Sequence, residues 1–453
     1  MQILIKILLG LMGLGIVVFV HELGHFIAAR RVGIDVEAFS IGWGRPFLRK
    51  KIGAVEYRLG VFPLGGYCKM KGENEFQEAW ENRQKSAQTS PGAFFSASPF
   101  RRIIVSFMGP FFNLVFAALV LSAIWGIGFE VITLDNRIVL VSEISPGSLN
   151  PADEAGLKTG DRILEIKGRN IENYHDIQEI ITLSPEEELS VKVDRAGELI
   201  ALTVRPGLEK STGAGRIGVY AWVDPLIGTV AENSPAALAG LKAGDRLLKA
   251  AGRDLPHTMA LSKILEEKPG VLELEFERDG ARLSSSLVPV YSEPEGAGLG
   301  IGWQTIRYHT PRLSPFGALA KGLSESWKTL TVSIRSLGLL FRGIDLTQAV
   351  SGPVRITYMV GAAAAEGFGQ SIGTGISTMA NFLALISIAL CIMNLLPLPI
   401  LDGGMIVLFA IEGITRKPLH PRAVYIFQTV GVVLIFGLMI FAVFGDILYL
   451  AGR

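Results

Sequence analysis

Residues 21–25 read His21-Glu22-Leu23-Gly24-His25, and they lie within an apolar stretch that runs from Ile3 to about Ala29. On an α-helix, residues four positions apart share one face, so the two imidazoles can reach a single ion. Glu22 projects beside them, where its carboxylate can take a proton from a water at that ion. Imidazole nitrogens suit zinc, and ionisable side chains within a membrane span are costly and mark functional sites. The stretch therefore predicts a membrane-spanning helix that carries a catalytic zinc site.

Four apolar stretches reach the length of about 20 residues that a bilayer requires. The sequence predicts transmembrane helices over residues 1–30, 103–129, 371–404 and 423–447. The second stretch is 27 residues long and carries no charge. A cleaved signal peptide is the alternative for the first stretch, but no small-residue cleavage site follows it and ionisable groups lie inside it. We therefore expect a polytopic α-helical membrane protein with four transmembrane helices.

The amino-acid composition is typical of a membrane protein, and it argues against a nucleic-acid-binding protein and against a disulfide-rich one. Only 19% of the 453 residues are charged, against about a quarter in soluble domains, and the mean hydropathy is +0.40. Lys and Arg number 43 and Asp and Glu 42. This balance gives no reason to expect nucleic acid as a partner. The two cysteines, Cys68 and Cys391, are too few for a disulfide framework.

The distribution of basic residues predicts the orientation in the membrane. Residues 30–102 carry 13 Lys and Arg, and the short segment 402–422 carries Arg416, Lys417 and Arg422. By the positive-inside rule, the region 31–102 and a loop over 405–422 face the cytoplasm. Both termini and the long segment between the second and third spans are then expected on the outer side.

Two further regions flank the predicted spans. Phe39–Gly44 and Val55–Val61 read as short strands joined through Gly53. Their apolar and aromatic residues beside a membrane favour a membrane-associated β-hairpin in contact with lipid, and a small cytoplasmic sheet is the alternative. Residues 311–370 read as an amphipathic helical connector that leads into the third span.

The long outer segment contains an internal repeat. Residues 155–162 read Ala-Gly-Leu-Lys-Thr-Gly-Asp-Arg, and residues 239–246 read Ala-Gly-Leu-Lys-Ala-Gly-Asp-Arg. Each copy follows a Ser-Pro pair, Ser145-Pro146 in the first and Ser234-Pro235 in the second. The run resembles the helix-to-strand corner of PDZ domains, which implies two tandem α+β PDZ-like domains over residues 130–219 and 220–310.

The PDZ resemblance also implies a ligand. PDZ domains capture the free C-terminus of a peptide in a groove beside a strand. In this sequence, Ile217-Gly218-Val219 and Leu299-Gly300-Ile301 are the candidate carboxylate-binding loops. Peptide C-termini are therefore an expected partner of the outer segment.

A catalytic zinc site needs a third protein ligand, and Asp402 is the leading candidate. The other four histidines (His175, His257, His309 and His420) lie outside the spans. The first and third spans run in the same direction, because the outer segment separates the second span from the third, and this places Asp402 at the depth of the two histidines. An Asp-Gly turn after a proline-broken helix is the alternative for Asp402, and Glu412 is the reserve ligand.

Together, these motifs resemble the site-2 protease family of intramembrane zinc metalloproteases. The resemblance covers the chain from Phe19 to about Gly404. It implies that His21, His25 and Asp402 bind Zn²⁺ and that Glu22 activates water. It also implies that Asn394 holds the substrate backbone, and it matches the family's Gly-x-x-x-Asn motif to the run from Gly109 to Asn113.

Residue chemistry adds to the predicted substrate-binding set of Asn394, Pro397, Pro399 and Asn113. The amide of Asn394 offers both a donor and an acceptor. Pro397 and Pro399 leave unpaired backbone groups nearby, where an unwound substrate can bind. Hydrogen bonding between helices is the alternative role for Asn394 and Asn113.

The predicted function is regulated intramembrane proteolysis of single-span membrane proteins. The family resemblance implies anti-sigma-factor-like substrates already shortened outside, and remnant signal peptides as further substrates. It implies the bacterial inner membrane, with the active site toward the cytoplasmic side and the PDZ-like domains extracytoplasmic. A membrane-anchored protease that cuts exposed chain is a second enzyme reading, which the shared depth of Asp402 and the histidines argues against. A PDZ scaffold with a vestigial metal site is the alternative from another class, and the intact Glu22 argues against it.

Overall fold

A computed structural model describes residues 2–72, 78–82, 90–145, 150–210, 213–292, 296–339, 352–370 and 372–451. Pro146 and residues 340–351 of the predicted connector lie outside these ranges. The chain divides into two compact units. The first holds Met1–Phe129, Thr310–Leu337 and Thr347–Gly452, and the second holds Glu130–His309.

The two units differ in their secondary structure, with long helices in the first and short strands and helices in the second. The helices are α1 (Gln2–Arg31), α2 (Pro99–Ile127), α3 (Val141–Ile144), α4 (Pro151–Glu154), α5 (Tyr174–Thr182), α6 (Pro235–Leu238), α7 (Thr258–Glu266), α8 (Pro315–Leu339), α9 (Pro353–Gln370), α10 (Ile372–Leu395), α11 (Asp402–Thr415) and α12 (Pro421–Ala451). The strands are β1 (Val36–Ile52), β2 (Val55–Met70), β3 (Glu130–Thr133), β4 (Ile138–Leu140), β5 (Arg162–Ile166), β6 (Arg169–Asn170), β7 (Leu189–Arg195), β8 (Glu198–Val204), β9 (Gly207–Leu208), β10 (Gly215–Arg216), β11 (Val219–Ala221), β12 (Ile227–Val230), β13 (Arg246–Ala250), β14 (Arg253–Asp254), β15 (Leu272–Arg278), β16 (Ala281–Leu287), β17 (Val290–Ser292), β18 (Gly296–Gly298), β19 (Ile301–Trp303) and β20 (Ile306–His309).

Four helices of the first unit are long and apolar enough to cross a membrane. Within the described residues, these segments are Leu8–Arg31, Pro99–Ile127, Ile372–Leu395 and Pro421–Ile447. Each coincides with a predicted span, but the third ends at Leu395 rather than at residue 404. Pro397 and Pro399 cannot continue a helix, and a separate helix, α11, begins at Asp402. Most of the segment 405–422, predicted as a loop, is therefore helical.

Glycines bring the helices of the first unit into backbone contact. A side chain on Gly24 of α1 would collide with the carbonyl of Met108 in α2, and one on Gly10 would collide with the backbone of Thr357 in α9. Small residues allow this close approach between membrane helices, where dispersion contacts replace the hydrophobic effect. The helix that carries both histidines is thus held against its neighbours without intervening side chains.

The strands between the first two spans form a larger sheet than predicted. β1 and β2 are joined through Gly53 and are 17 and 16 residues long. Ala38–Ile41 of β1 pairs with Glu56–Leu59 on one side and with Gly66–Lys69 on the other, because β2 folds back across β1. The sheet begins five residues after α1, so its central part packs on that helix through Phe26 and Phe39.

The two repeats of the second unit have the same element order. Each forms an antiparallel sheet of four strands, β6-β5-β7-β8 in the first and β14-β13-β15-β16 in the second. Asn150-Pro151 begins α4 and Ser234-Pro235 begins the matching helix α6. The structural equivalent of Ser234-Pro235 is therefore Asn150-Pro151 rather than the Ser-Pro pair at 145–146 that also precedes the first copy.

The Gly-Asp run of each repeat forms a buried charged corner. In the second repeat, Asp245 accepts the backbone N–H of Lys242 at 2.8 Å and two donors of Arg278 at 2.6 and 2.7 Å. In the first repeat, Asp161 and Arg195 make the same paired contact at 2.7 and 2.8 Å. The repeated motif thus closes the end of each sheet with a two-pronged ion pair, which is a strong hydrogen-bonding geometry.

The pKa of Asp245 lies below its ordinary value. Burial alone raises the pKa, but the hydrogen bonds from Arg278 and from the Lys242 N–H outweigh burial and stabilise the carboxylate. Because the unfolded chain then binds more protons as the pH falls, this contribution to stability is complete above a pH of about 4 and is lost below it.

We expect Arg278→Met to destabilise the second repeat by about 3 kcal/mol at pH 7, because it leaves a buried carboxylate without its ion-pair partner. The control is Arg253→Met, which breaks an exposed pair with Glu267 and is expected to have a much smaller effect, because water screens exposed charges. Hydrogen exchange on β13 and β15 of the full chain measures the effect, with β5 and β7 as the internal reference. Equal protection of β13 and β15 in both variants would contradict the role of the corner.

Candidate metal centre

Three residues predicted as zinc ligands come together in the first unit. His21 and His25 lie one turn apart on α1, and Asp402 is the first residue of α11. The two Nε2 atoms are 3.1 Å apart, and Oδ2 of Asp402 lies 3.2 Å from Nε2 of His21 and 3.5 Å from that of His25. Ligands bound tetrahedrally to zinc at about 2.0–2.1 Å are separated by about 3.3 Å. The spacing of the three donor atoms therefore fits zinc.

The hydrogen bond at the back of His25 fixes its tautomer. Nδ1 of His25 lies 2.8 Å from the carbonyl oxygen of Val105 in α2. A carbonyl only accepts, so this nitrogen carries the hydrogen and Nε2 presents a lone pair. A backbone carbonyl behind a metal-binding imidazole is a common support in zinc sites.

Asn113 supports His21 in the same way. Its side-chain amide lies 3.3 Å from Nδ1 of His21, and its Oδ1 is buried without a hydrogen-bond partner among the described residues. Exchanging the amide oxygen and nitrogen, which have nearly equal shapes, lets Oδ1 accept the Nδ1–H of His21. Both Nε2 lone pairs then face each other and Asp402, an arrangement that a bound cation stabilises.

Asn113, predicted to bind substrate, lies beside His21, one of the proposed ligands. Gly109 of the same motif lies directly under the two imidazole rings. A side chain there would collide with Nε2 of His25 and would approach Cε1 of His21 to 2.9 Å. In the Gly-x-x-x-Asn motif, Gly109 thus leaves space beneath the imidazole rings of His21 and His25, and Asn113 places an amide one turn further along α2.

The turn that precedes α11 sets the position of Asp402. Leu398 N–H donates to the carbonyl of Leu396 at 2.7 Å, and Ile400 adopts a left-handed φ of +73°. Side chains at Gly403 or Gly404 would collide with the carbonyls of Leu396 or Leu398. The Asp-Gly-Gly run therefore forms a helix start on which the turn folds back, rather than a simple Asp-Gly turn.

Glu412, the reserve ligand, lies away from the three donor atoms. Its Oε1 accepts a hydrogen bond from Arg102 of α2 at 2.7 Å. In the part of the chain that the structure describes, the cluster able to hold a metal consists of His21, His25 and Asp402. The predicted preference for Asp402 over Glu412 agrees with this geometry.

The sheet next to α1 reaches the predicted general base. The backbone N–H of Cys68 in β2 donates to the carboxylate of Glu22. A Cβ on Gly66 would lie 3.3 Å from Cγ of Glu22 and 2.7 Å from the carbonyl oxygen of Ser40. The sequence analysis did not predict this contact. The paired glycines Gly65-Gly66 could have indicated it, because glycine within a strand often marks the close approach of another group.

The predicted substrate-binding residues of the third span lie at its end. Asn394 is in the last turn of α10 and makes no side-chain hydrogen bond with any described residue. Pro397 is exposed, whereas Pro399 packs against Gly431 of α12, where a side chain would approach it to 2.6 Å. These three residues line the turn before Asp402 and are not part of the donor cluster.

Comparisons with known proteins agree with the site. The profile of peptidase family M50 matches residues 9–438. The protein named "Putative zinc metalloprotease" of Treponema pallidum (strain Nichols) is 37% identical, over 99% of this chain and 100% of its own. The regulator of sigma-E protease RseP of Escherichia coli (strain K12) is 32% identical, over 96% of this chain and 97% of its own.

A solved PDZ domain of an SdrC-like protein from Listeria monocytogenes is 15% identical and covers 18% of this chain and 90% of its own, with a TM-score of 0.17. That likeness is too weak to support an assignment. The family match spans nearly the whole chain, including every residue of the donor cluster. The chain therefore belongs to peptidase family M50 and is a zinc metallopeptidase of the membrane.

Proposed function

We propose that His21, His25 and Asp402 hold the zinc ion, that Glu22 is the general base, and that the substrates are single-span membrane proteins. The observation that carries the assignment is the triangle of donor atoms, with edges of 3.1, 3.2 and 3.5 Å. Its members come from two helices that are far apart in the sequence. Both imidazoles are buried and are supported from behind by α2.

The chemistry divides between the ion and Glu22. Bound zinc supplies a Lewis acid that polarises the scissile carbonyl and makes water more acidic. Glu22, one residue from His21, accepts the proton of the attacking water and later delivers it to the leaving amine. The N–H of Cys68 holds its carboxylate on the side of the β2 strand. The alternative of a PDZ scaffold with a vestigial metal site leaves the intact Glu22 without a role.

A substrate helix must unwind before its carbonyl can be attacked, because its backbone groups bond to one another. The turn between α10 and α11 offers groups for the unwound strand. Pro397 is exposed there, and the amide of Asn394 is free to donate and accept within the described residues. We assign Asn394, Pro397 and Pro399 to substrate binding, and we assign Asn113 to the orientation of His21.

The sheet of β1 and β2 is proposed to contact the membrane surface. Trp43, Phe47 and Leu48 are 60, 66 and 62% exposed. They alternate with the exposed cations Arg45 and Arg49. Aromatic and aliphatic side chains beside basic residues suit the boundary between acyl chains and anionic headgroups.

The repeats of the second unit are proposed to be PDZ-like domains that bind peptide C-termini. A groove of about 970 Å³ in the first repeat lies between α5 and the loop Ile217-Gly218-Val219. Ile177 and Ile181 give it an apolar wall, and the exposed Lys210 provides positive charge for a carboxylate. Arg216 at the same groove is paired with Glu209 at 3.0 Å. Anti-sigma-factor-like proteins with a C-terminus freed by an earlier cut are the proposed substrates, and remnant signal peptides are further candidates.

The proposed location is the bacterial inner membrane, with the metal centre toward the cytoplasm and the second unit extracytoplasmic. The excess of Lys and Arg between the first two spans supports this orientation.

We expect Glu22→Gln to retain zinc and to lower cleavage of a detergent-solubilised single-span membrane protein by about 10²–10⁴-fold, the usual contribution of a general base. His21→Ala, His25→Ala and Asp402→Ala are expected to lose zinc as well as activity. Metal analysis and cleavage assays on the same preparations separate the two roles. Full zinc content in Asp402→Ala would exclude that residue as a ligand.

Gly109→Ala is expected to reduce zinc binding about tenfold or more, because the added methyl group collides with the imidazole of His25. Gly126→Ala is the matched control in the same helix. Its methyl group would meet only the Cβ of Ala318, at the ordinary distance of 3.5 Å. Zinc contents that do not differ between the two variants would argue against ligation by the histidine pair.

Cys68 tests the orientation, because it lies in the basic region between the first two spans. In a Cys391→Ala background, we expect a membrane-impermeant thiol reagent to label Cys68 only after the cells are permeabilised. Labelling of intact spheroplasts would reverse the proposed topology.

A further inference from the structure

Arg102 and Glu412 form a buried ion pair outside the donor cluster. Nη2 of Arg102 lies 2.7 Å from Oε1 of Glu412, and the two side chains are 3 and 14% exposed. Nε of Arg102 donates to the carbonyl of Ala97 at 3.1 Å, and the guanidinium lies over the ring of Phe409, 4.6 Å from its centre. The pair joins the start of α2 to the second half of α11.

The pair acts on the helix that carries Asp402. Phe409 follows Asp402 by seven residues, two helical turns, so both lie on one face of α11. Phe409 is completely buried. A guanidinium that covers Phe409 and bonds Glu412 therefore fixes both the rotation and the height of this face against α2.

The same face of α2 supports the other two proposed ligands. Val105, one turn after Arg102, accepts the hydrogen bond of His25. Gly109 receives the imidazole rings, and Asn113 contacts His21. With Arg102, these residues follow at intervals of three or four, which places them along a single stripe of α2. One helix face thus backs all three ligands.

Fold stability alone does not account for this charged pair. A buried ion pair adds little net stability, since desolvation offsets much of the attraction. Oε2 of Glu412 is also buried without a partner among the described residues, which adds a further cost. What the Arg102–Glu412 pair provides is a defined geometry. A hydrogen-bonded pair permits only one register between two helices, whereas an apolar contact permits several.

We infer that Arg102 and Glu412 are positioning residues that set Asp402 at the metal by fixing α11 against α2. This inference rests on the proposed function, because it takes Asp402 to be a zinc ligand. Arg102 does not contact the metal site itself and acts through α11.

Zinc affinity of the full detergent-solubilised chain tests the inference. Titration of the zinc form with a chelator of known affinity is expected to show a loss of about 10-fold or more in Arg102→Met, in line with other supports of metal ligands. Arg253→Met removes an arginine from an exposed pair elsewhere and is expected to leave zinc affinity unchanged.

A double-mutant cycle separates positioning from a general structural role. If Arg102 acts through Asp402, then Arg102→Met lowers zinc affinity in the native background and has no further effect in Asp402→Asn. An equal loss in both backgrounds, or a lower thermal midpoint with unchanged zinc affinity, would overturn the inference.

Glu412→Gln provides a second variant if Arg102→Met does not fold. It keeps an oxygen acceptor for Arg102 but removes the charge, so a smaller loss that again depends on Asp402 is expected, and unchanged affinity would overturn the inference. If Asp402→Asn alone leaves zinc affinity at the native level, the ligand assignment itself has failed, and the positioning role fails with it.

Discussion

The arrangement of the metal centre depends on one backbone contact, that between α1 and α2 at Gly24 and Gly109. A Cβ on Gly24 would come within 3.0 Å of the Gly109 Cα, so the two helices touch without side chains between them. Because Gly109 has no side chain, the imidazoles of His21 and His25 can occupy the space above it. Any larger residue at either position would separate the helices and move both rings from their supports.

Once this contact is made, α2 determines most of the remaining site. Its Val105 carbonyl and Asn113 amide direct the lone pairs of both histidines toward the same point. Its first turn holds α11 through Arg102. Unsatisfied polar groups are costly within a membrane. A cation bound between the three donor atoms would satisfy them, which accounts for their convergence. The strand β2 then adds a backbone donor to Glu22, which links the membrane-adjacent sheet to the reacting groups.

The second unit is stabilised by different interactions from the first. Its two repeats have separate apolar cores, in which Ile163 and Leu189 of the first match Leu247 and Leu272 of the second. Each repeat closes its sheet with a buried Asp-Arg pair, and β3 pairs with β20 so that the first and last strands of the unit meet. Water provides the hydrophobic driving force here, whereas close packing and hydrogen bonds stabilise the helices of the first unit. Glycines accordingly allow helices to meet in the first unit, whereas alternating apolar strands build the cores of the second.

The sequence by itself determined the features that depend on local periodicity. Neighbouring residues alone define the spacing of His21 and His25, the four apolar spans and the duplicated Gly-Asp run. Counting the spans then gave the direction of each one, and this was enough to select Asp402 as the predicted third ligand. Tertiary structure decided the contacts between distant segments. Glu412 is bonded to Arg102, 310 residues away, and the side-chain amide of Asn113 lies 3.3 Å from Nδ1 of His21. The predicted loop at 405–422 is largely helical, because a separate helix begins at Asp402 and ends at Thr415. Periodicity reports which face of an element is apolar, but it carries no information on which distant residue meets that face.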